Sequence, residues 1–587
     1  MKDLSSEIKA HALKNAIEFG KADASRILPK LFQHGLEKKD IGKIMPEVQR
    51  IIKELNALSK AEQEKMFAQL KDIIPEHVEK ERVLPELPEA TDSMVFRLAP
   101  YPSGALHIGN AKTYLLNALY AEKYKAKLLL VMDDTIGSEE KQIAPEAYDL
   151  IEEGFQWLGV NYHKPVIYKS DRLELYYEYA EKLIKKDAAY VCKCPAEILR
   201  KNREQGKDCT CRARSIKDNQ KEWKNIFTAE QGKAVLRIKT SMQHPNPAFR
   251  DRVLFKISDR KHPRIGTKYR VWPTLEMSWA IDDHELGITH ILRGNDLMIE
   301  TDMEKFIWDI FGWKHSVTMH AGLAKIEGIE GAKLSKSKAQ KEVKSGEFTG
   351  WDDPRTWSMQ SLKRRGINPE AVRQFVHDIG LNKQDITIPI DTLYALNRQQ
   401  IDANTERYVF IDNPVKISVK ESPTTIKVEV PIHPDKLNIT HTVRVTPGVI
   451  FISKKDAQDF KGKEVRLLHL YNMQLSEKGT NAEFTSVENK QIPKLTWTSF
   501  GMDARVLMPN GVWVSGLADE TITSLKEGDV IQFERFGFVR FDKIMENSDD
   551  FIMQNQNSPD REFCKKDDTI NRIPCNNRCY EFWFAHR

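Results

Sequence analysis

The chain has 587 residues, of which 40% are hydrophobic and 30% charged, and its formal net charge is +5 at pH 7. A chain of this length is too long for one hydrophobic core, so we expect about three to five domains. Its longest apolar stretches are too short to span a bilayer, and its first residues lack the apolar run of a signal peptide. We therefore expect no membrane association and a cytoplasmic location, while the small net charge neither requires nor excludes binding to nucleic acid.

The first 85 residues alternate apolar and charged groups at helical spacing. The segment from Ile44 to Leu55 is typical of this pattern, with apolar residues three or four positions apart. It predicts a small N-terminal helical domain or an appended helical arm. The segment Pro85-Glu-Leu-Pro-Glu, with two prolines, then marks a linker.

A different pattern begins at Val95. Residues 95–99 predict a short strand, which a glycine turn connects to a helix over about residues 111–124. Residues 127–132 predict a second strand that ends in Asp133-Asp-Thr, and a further helix follows over residues 146–158. This succession predicts a doubly wound parallel sheet whose ligands bind at the carboxyl ends of its strands.

The glycine turn reads Ala99-Pro-Tyr-Pro-Ser-Gly-Ala-Leu-His107-Ile-Gly109-Asn110. Gly104 and Gly109 flank it where the strand gives way to the helix, and there the backbone amides and the helix dipole favour an anion. His107 can donate a hydrogen bond to a phosphate. The alternative is an ordinary glycine turn with a surface histidine.

Two pairs of cysteines, Cys192 with Cys194 and Cys209 with Cys211, lie in a basic, irregular stretch over about residues 190–265. The stretch interrupts the strand–helix pattern and predicts an insertion. Two short turns that each present two thiolates can supply the four ligands of a tetrahedral zinc site. The alternative is that these four residues are buried or free thiols.

The strand pattern resumes at Ile288-Thr-His-Ile-Leu-Arg293-Gly, and a basic loop, Ala332-Lys333-Leu-Ser335-Lys336-Ser-Lys, follows it. Glycines before this loop would let it close over a triphosphate. A lysine that closes in this way stabilises the transition state more than the ground state. The alternative is a solvated lysine-rich loop without such a role.

From about residue 405 the sequence alternates apolar and polar residues between turns, which predicts β-barrels. Beyond Asp542 the sequence is polar and irregular, and we expect a disordered tail. This tail contains Cys564, Cys575 and Cys579, for which we expect no metal.

The glycine turn and the lysine loop occur in order inside one predicted parallel-sheet domain, with an insertion between them. In this combination the chain resembles the class I aminoacyl-tRNA synthetases, whose paired motifs read His-Ile-Gly-His and Lys-Met-Ser-Lys-Ser. Within that class it is similar to the glutamyl-tRNA synthetase family of the archaeal and eukaryotic type. The segments that carry the resemblance are residues 96–104, 133–135, 282–294, 350–355 and 528–538.

The resemblance implies a ligase that forms glutamyl-adenylate from glutamate and ATP, with Mg²⁺, and transfers glutamate to the terminal adenosine of tRNA(Glu). Whether tRNA(Gln) is also charged stays open. His107, Lys333 and Lys336 would be catalytic, the lysines by stabilising the pentavalent phosphorus. The residues implied to contact ATP are Ala99, Pro100, Gly104, His107, Gly109, Asn110, Lys333, Ser335 and Lys336.

Arg97, Asp133 and Arg293 match the positions that hold the amino acid in this family. Glutamate carries two carboxylates, and a guanidinium group binds a carboxylate through two hydrogen bonds. Asp133 would accept hydrogen bonds from the substrate ammonium group. For Arg97 the alternative is a strand-edge arginine paired with a structural acid.

The resemblance implies a multidomain α/β plus β fold, with a Rossmann-like doubly wound catalytic domain, an inserted domain, an N-terminal helical domain and C-terminal β-barrels. The insertion would bind the tRNA acceptor stem, and the β-barrels would bind the anticodon. The expected boundaries are 1–85 for the helical extension, 86–190 and 266–320 for the catalytic halves, 191–265 for the insertion, 321–404 for the lysine loop and connecting helices, 405–541 for the β-barrels and 542–587 for the tail.

Three other functions stay open at this stage. The nearest is glutaminyl-tRNA synthetase, which has the same fold and an amide substrate. The others are a small adenylyl- or cytidylyltransferase and a non-catalytic tRNA-binding relative, although His107, Lys333 and Lys336 are all present. We expect a monomer, and the N-terminal helical region is the candidate for attachment to a synthetase complex.

Overall fold

The computed structural model describes residues 4–36, 40–70, 73–74, 83–137, 142–329, 336–546 and 578–587. It divides into two units, Met1–Arg82 and Val83–Arg587, each with its own internal contacts. No helix in the described ranges is both long and apolar enough to cross a membrane.

The first unit is helical. Its helices are α1 (Ser5–Phe19), α2 (Ala24–Leu31), α3 (Ile41–Asn56) and α4 (Lys60–Leu70). In α3 the buried residues are Ile44, Val48, Ile51 and Leu55, spaced four, three and four apart, so they form one apolar face. This face joins the core of the unit, and the helix predicted from that spacing is confirmed.

The second unit begins with parallel strands separated by helices. They are β1 (Val95–Leu98), α5 (Ile108–Lys123), β2 (Lys127–Met132), α6 (Ala147–Trp157), β3 (His163–Tyr168) and α7 (Leu173–Lys185). β2 pairs in parallel with β1 on one side and with β3 on the other. The predicted strand–turn–helix–strand succession is therefore confirmed.

A four-stranded antiparallel sheet then interrupts the parallel strands, in the order β4-β5-β6-β7. Its elements are β4 (Ala189–Cys192), α8 (Ala196–Gln205), α9 (Ile216–Ile226), β5 (Val235–Ile238), β6 (Val253–Ile257) and β7 (Val271–Pro273). The cysteine-bearing segment lies in this sheet and its connections.

The parallel arrangement resumes after the interruption with α10 (Leu275–Glu285), β8 (His290–Gly294), α11 (Met298–Phe311) and β9 (Val317–Ala321). β8 pairs in parallel with β9, and the backbone N–H of Thr289 donates to the carbonyl of Val95 at 3.0 Å. β8 and β9 pair as a separate two-stranded sheet, and this hydrogen bond places them beside β1. The spatial order is β3-β2-β1-β8-β9. The chain first adds strands on one side of β1 and, after the insertion, adds them on its other side.

Connecting elements follow, namely β10 (Ala324–Glu327), α12 (Lys336–Ser345), α13 (Met359–Arg365), α14 (Pro369–Ile379), β11 (Ile386–Pro389) and α15 (Asp391–Ile401). Leu362, Phe375 and Leu393 from these helices are buried in the same core as Leu115 of α5. The connecting helices are thus packed onto the parallel-sheet domain.

The remainder is rich in β-structure. Its elements are β12 (Arg407–Tyr408), β13 (Phe410–Asp412), β14 (Pro414–Lys420), β15 (Lys427–Pro431), β16 (Thr440–Arg444), β17 (Val449–Ser453), α16 (Lys454–Asp459), β18 (Glu464–Leu467), β19 (Asn472–Leu475), β20 (Asn481–Ser486), β21 (Lys494–Leu495), β22 (Gly501–Leu507), β23 (Trp513–Asp519), β24 (Val530–Phe533), β25 (Gly537–Glu546) and β26 (Arg578–His586).

Two sheets of this region are nearly closed. The first has the order β12-β24-β25-β26-β22-β23-β13. Its two end strands, β12 and β13, follow each other along the chain with only Val409 between them, so they lie close together. The second has the order β17-β14-β20-β19-β18-β21, and Phe451 of β17 forms a bridge to Thr498, just beyond β21. The predicted β-barrels, and with them the α/β plus β fold class, are confirmed.

The expected disordered tail is wrong for the parts of residues 542–587 that the structure describes. β25 continues to Glu546, and β26 lies between β25 and β22 with most of its side chains buried. The physical reason is the run Tyr580-Glu-Phe-Trp-Phe-Ala, in which Tyr580, Phe582 and Phe584 complete the barrel core. Cys579 is buried in this strand, whereas Cys564 and Cys575 lie outside the described residues.

β26 is also fixed to the connecting helices. Arg365 of α13 is fully buried and donates to the carbonyls of Phe584 at 3.0 Å and Ala585 at 2.8 Å. The guanidinium of Arg365 also lies 4.4 Å from the ring centre of Trp357. These contacts connect the barrel to the segment that adjoins the glycine turn.

Candidate active site

The carboxyl ends of three parallel strands meet where the strand order reverses. Ala99 and Pro100 follow β1, Asp133 follows β2, and Arg293 is near the end of β8. The backbone N–H of Asp133 donates to the carbonyl of Pro100 at 3.0 Å, so the first two ends are in direct contact. Parallel sheets bind their ligands at this kind of reversal.

His107 forms the N-terminal cap of α5. Its Nδ1 accepts a hydrogen bond from the Gly109 N–H at 3.1 Å, and the Asn110 Oδ1 accepts one from the His107 N–H at 3.0 Å. These reciprocal bonds hold the first turn of α5 in place. Because Nδ1 accepts, the neutral imidazole carries its proton on Nε2, which is therefore a donor.

Gly104 is required by the close approach of Trp351. A Cβ atom at residue 104 would lie 2.1 Å from a ring carbon of that indole, which no side chain can tolerate. The segment around Trp351 is in turn bound to the start of α5, since the Ile108 N–H donates to the Trp357 carbonyl at 3.1 Å. The glycine turn is thereby held between α5 and this segment.

The helix that follows the lysine loop packs against the glycine turn. Ala339 and Val343 of α12 contact a small cluster formed by Ala105 and Trp351. Lys333 and Ser335 lie outside the described residues, and for Lys336 only the backbone is described, as the first residue of α12. The structure therefore brings α12 to the glycine turn, while the lysine side chains are not part of the description.

Arg97 and Arg293 are both buried, and each has a carboxylate partner. Arg97 donates through Nε and Nη2 to the two oxygens of Asp283, the second bond at 2.8 Å. Burial disfavours the charge of Arg97, but the Asp283 carboxylate outweighs it and raises the pKa of Arg97. Arg293 donates through Nη1 to Glu304 at 2.9 Å and to Thr301 at 3.2 Å.

Arg293 differs from Arg97 in what its other nitrogens do. Its Nε and Nη2 are buried and have no hydrogen-bond partner among the described residues, although Nη2 lies 3.9 Å from the Asp283 carboxylate. These two N–H groups form the side of the guanidinium that Arg97 uses to bind Asp283. Arg293 therefore retains a pair of N–H groups that fits a further carboxylate. Arg97, in contrast, is paired with an acid, Asp283, as the alternative for this residue proposed.

Asp133 is compensated by a buried lysine. The Nζ of Lys169 lies 3.2 Å from the Asp133 carboxylate and donates to Ser278 Oγ at 3.0 Å. Burial lowers the pKa of Lys169, and Asp133 opposes this shift. The next acid of the cluster, Asp282, accepts from Tyr176 at 2.6 Å, and burial raises its pKa.

The four cysteines of the insertion converge on one point. Their Sγ atoms lie within 4.8 Å of one another, with Cys192 and Cys209 at 3.7 Å and Cys194 and Cys211 at 3.9 Å. Four thiolates around zinc at about 2.3 Å would be separated by about 3.8 Å, so this set fits the ion. The contact between the sulfur atoms of Cys192 and Cys209 lowers the pKa of Cys209 and raises the pKa of Cys192.

The surroundings of Cys209 favour its thiolate. Arg237 Nη1 lies 3.9 Å from the Cys209 sulfur and the Tyr190 hydroxyl lies 3.7 Å from it. A cation and a hydroxyl near the sulfur atoms stabilise negative charge on them.

Four residues of the site were not predicted from the sequence, namely Lys169, Trp279, Asp283 and Glu304. Asp283 and Trp279 stand in α10, so helical spacing alone could not tell which of its residues face β1. The paired acids Asp282 and Asp283 were the available signal, because two adjacent buried carboxylates require cations. Nothing comparable in the sequence marks Lys169 or Glu304.

Comparison with known families gives matches over most of the chain. Residues 93–403 match the family described as tRNA synthetases class I (E and Q), catalytic domain. Residues 405–491 and 482–542 match two anti-codon binding domains of the same group.

Several curated relatives are similar over nearly their whole length. The glutamate–tRNA ligase of Pyrococcus furiosus is 40% identical over 565 residues, which are 91% of this chain and 96% of that protein. Those of Pyrococcus abyssi (40%; 91% and 96%) and Methanocaldococcus jannaschii (36%; 92% and 98%) are similar to a comparable degree. The chain therefore belongs to the class I tRNA synthetases of the glutamate and glutamine group.

Proposed function

We propose that this protein is a glutamate–tRNA ligase of the cytoplasm. It would activate glutamate with ATP to glutamyl-adenylate and transfer the glutamyl group to the terminal adenosine of tRNA(Glu). The observation that carries the proposal is the open guanidinium fork of Arg293, buried beside Arg97 at the carboxyl ends of the parallel strands. The names of the curated relatives support the same substrate.

The open N–H groups of Arg293 favour a dicarboxylic amino acid. An arginine fork binds a carboxylate through two charge-assisted hydrogen bonds, while the carboxamide of glutamine offers a single acceptor oxygen. Asp133 would accept hydrogen bonds from the substrate ammonium group. Arg97 would line this pocket, with its fork occupied and its charge balanced by Asp283.

ATP would bind between the glycine turn and the lysine loop. The amides at the start of α5, the Nε2–H of His107, and Gly104, Gly109 and Asn110 would border its phosphates, with Ala99 and Pro100 at the end of β1. Lys333, Ser335 and Lys336 would approach from the other side, and the lysines would stabilise the charge that develops on phosphorus. Mg²⁺ bound with ATP would neutralise part of the phosphate charge.

The tRNA would bind along several domains. We assign the anticodon to the β-barrels and the acceptor stem to the antiparallel insertion, in keeping with the family models that match residues 405–542. We further propose a monomer, with the N-terminal helical unit as the attachment point in a synthetase complex.

Charging of defined tRNAs tests the substrate assignment. The purified protein is expected to attach radiolabelled glutamate, but not glutamine, to tRNA with a glutamate anticodon. The control is the same tRNA without its 3′-terminal adenosine, which has no acceptor hydroxyl. Attachment of glutamine alone would overturn the proposal in favour of glutaminyl-tRNA synthetase. Attachment of glutamate both to tRNA with a glutamate anticodon and to tRNA with a glutamine anticodon would identify a non-discriminating enzyme.

We also propose that Cys192, Cys194, Cys209 and Cys211 bind one zinc ion. Their sulfur atoms have the spacing of a tetrahedral site, and Arg237 and Tyr190 lie against the Cys209 sulfur. Zinc in such a site contributes folding energy and performs no chemistry. It would fix β4 and the turn at residues 210–213 to each other.

Elemental analysis of the purified protein is expected to give about one equivalent of zinc per chain. Cys209→Ser is expected to lose the metal and to lower the melting temperature, because the remaining thiolates no longer close the tetrahedron. Cys579→Ser is the matched control, since it changes a buried cysteine in the barrel without changing the metal content. Less than about half an equivalent in the unaltered protein would contradict the site.

A further inference from the structure

Three buried cations surround the ring of Trp279 in the proposed amino-acid pocket. The guanidinium carbons of Arg97 and Arg293 lie 4.5 Å and 4.6 Å from its ring centre, and the Nζ of Lys169 lies at 4.9 Å. Trp279 itself is 6% exposed. An aromatic ring attracts cations through its quadrupole, so the indole lets groups of like charge stand close together away from water.

The ring is held on the same helix as the acid that pairs with Arg97. Trp279 belongs to α10, which also carries Asp282 and Asp283. Asp283 binds Arg97, while Asp282 binds Arg172 at 2.7 Å. One helix therefore supplies both the ring against which the cations lie and the countercharge of Arg97, and a change at Trp279 acts directly on the guanidinium positions.

The indole N–H of Trp279 is an open donor. Its Nε1 is buried and has no hydrogen-bond partner in the part of the chain that the structure describes, as is true of Nε and Nη2 of Arg293. A buried donor without a partner costs free energy until an acceptor reaches it. Indole and guanidinium groups can only donate, so the complementary ligand is a group that only accepts.

We propose that Trp279 positions Arg97 and Arg293 and determines specificity for a carboxylate side chain. Its ring fixes the two guanidinium groups, and its N–H donates to an oxygen of the substrate carboxylate. A carboxamide would place an NH₂ group against one of these donors, so glutamine is disfavoured. The inference deepens the proposed function and rests on it, because it requires a glutamate-sized substrate in this pocket.

Trp279→Phe tests the inference by removing the N–H and keeping a ring under the guanidinium groups. Loss of a charge-assisted hydrogen bond predicts a KM for glutamate about ten- to a hundredfold higher. The KM for ATP is expected to stay unchanged, and the glutamate-to-glutamine ratio of kcat/KM is expected to fall. Trp279→His has a ring N–H again. Its glutamate-to-glutamine ratio of kcat/KM is expected to lie between those of Trp279→Phe and the wild type.

Trp272→Phe is the matched control. Trp272 is fully buried, its Nε1 also lacks a partner among the described residues, and its ring stacks on His262. This variant is expected to keep the KM for glutamate. Circular dichroism melting curves of all three variants separate loss of fold from loss of binding.

Two results distinguish the inference from the function on which it rests. A wild-type protein that charges no tRNA with glutamate refutes the proposed function, and the role of Trp279 falls with it. A wild-type protein that charges glutamate, together with Trp279→Phe kinetics equal to wild type, refutes the role of Trp279 alone. Equal glutamate-to-glutamine ratios of kcat/KM in Trp279→Phe and Trp279→His would show that the ring N–H does not contribute to specificity.

Discussion

Arg293→Met in a Glu304→Gln background is expected to lower kcat/KM for glutamate by about 10²- to 10⁴-fold, because two charge-assisted hydrogen bonds to the substrate are lost. The second change is needed because Arg293 is the buried partner of Glu304. Removing the arginine alone would leave an unpaired buried carboxylate, which is strongly destabilising. Steady-state charging with varied glutamate measures the effect.

Arg293→Lys and Glu304→Gln separate the contribution of the planar guanidinium fork of Arg293 from that of its positive charge. The lysine variant keeps a cation but lacks the planar fork, so we expect a large increase in the KM for glutamate. Glu304→Gln alone keeps Arg293 and its open Nε and Nη2, and is expected to charge tRNA at near the wild-type rate. A lysine variant with an unchanged KM would show that the fork does not bind the substrate.

Lys336→Ala is expected to slow formation of the adenylate by about 10²- to 10³-fold, the size of effect seen when one preorganised transition-state donor is removed. The residue begins α12, whose Ala339 lies in the cluster with Ala105 of the glycine turn. The helix that Lys336 begins is therefore packed against the glycine turn. ATP–pyrophosphate exchange in the presence of tRNA measures this step.

Lys344→Ala is the control for the loss of one positive charge from α12. Lys344 is exposed and lies near the other end of the helix. We expect both variants to bind tRNA with wild-type affinity, and only Lys336→Ala to be slow in exchange. An unchanged exchange rate for Lys336→Ala would remove this residue from the proposed catalytic set.

The parallel-sheet domain was predictable because its signals are local. β1, α5 and β2 follow from apolar runs separated by a glycine turn, and helical spacing identifies α3. The cysteine cluster was predictable in the same way, since each pair of thiols lies on one short segment. Residues that stand close in sequence can reveal their structure without knowledge of the rest of the chain.

The pairing of charges inside the pocket was not predictable. Arg97 and Asp283 are 186 residues apart, and the partner of an arginine depends on which helix packs beside its strand. Sequence analysis assigned Arg97 and Arg293 the same role, whereas the structure leaves an open fork on Arg293 alone. β26 was missed for a related reason, because an aromatic run after a long polar segment becomes a strand only when β25 and β22 pair with it.

The contacts of Arg365 affect how the protein can be divided for experiments. A fragment that ended at the boundary of the catalytic family match, residue 403, would retain α13 and lose the carbonyls of Phe584 and Ala585. It would also expose the apolar core that Phe538 and Ala585 cover, and Arg365 would lose two of its acceptors. The sequence families separate the catalytic and anticodon modules, but the physical boundary between them passes through a shared core. A faithful catalytic fragment would therefore need to carry β26 or a neutral substitute for Arg365.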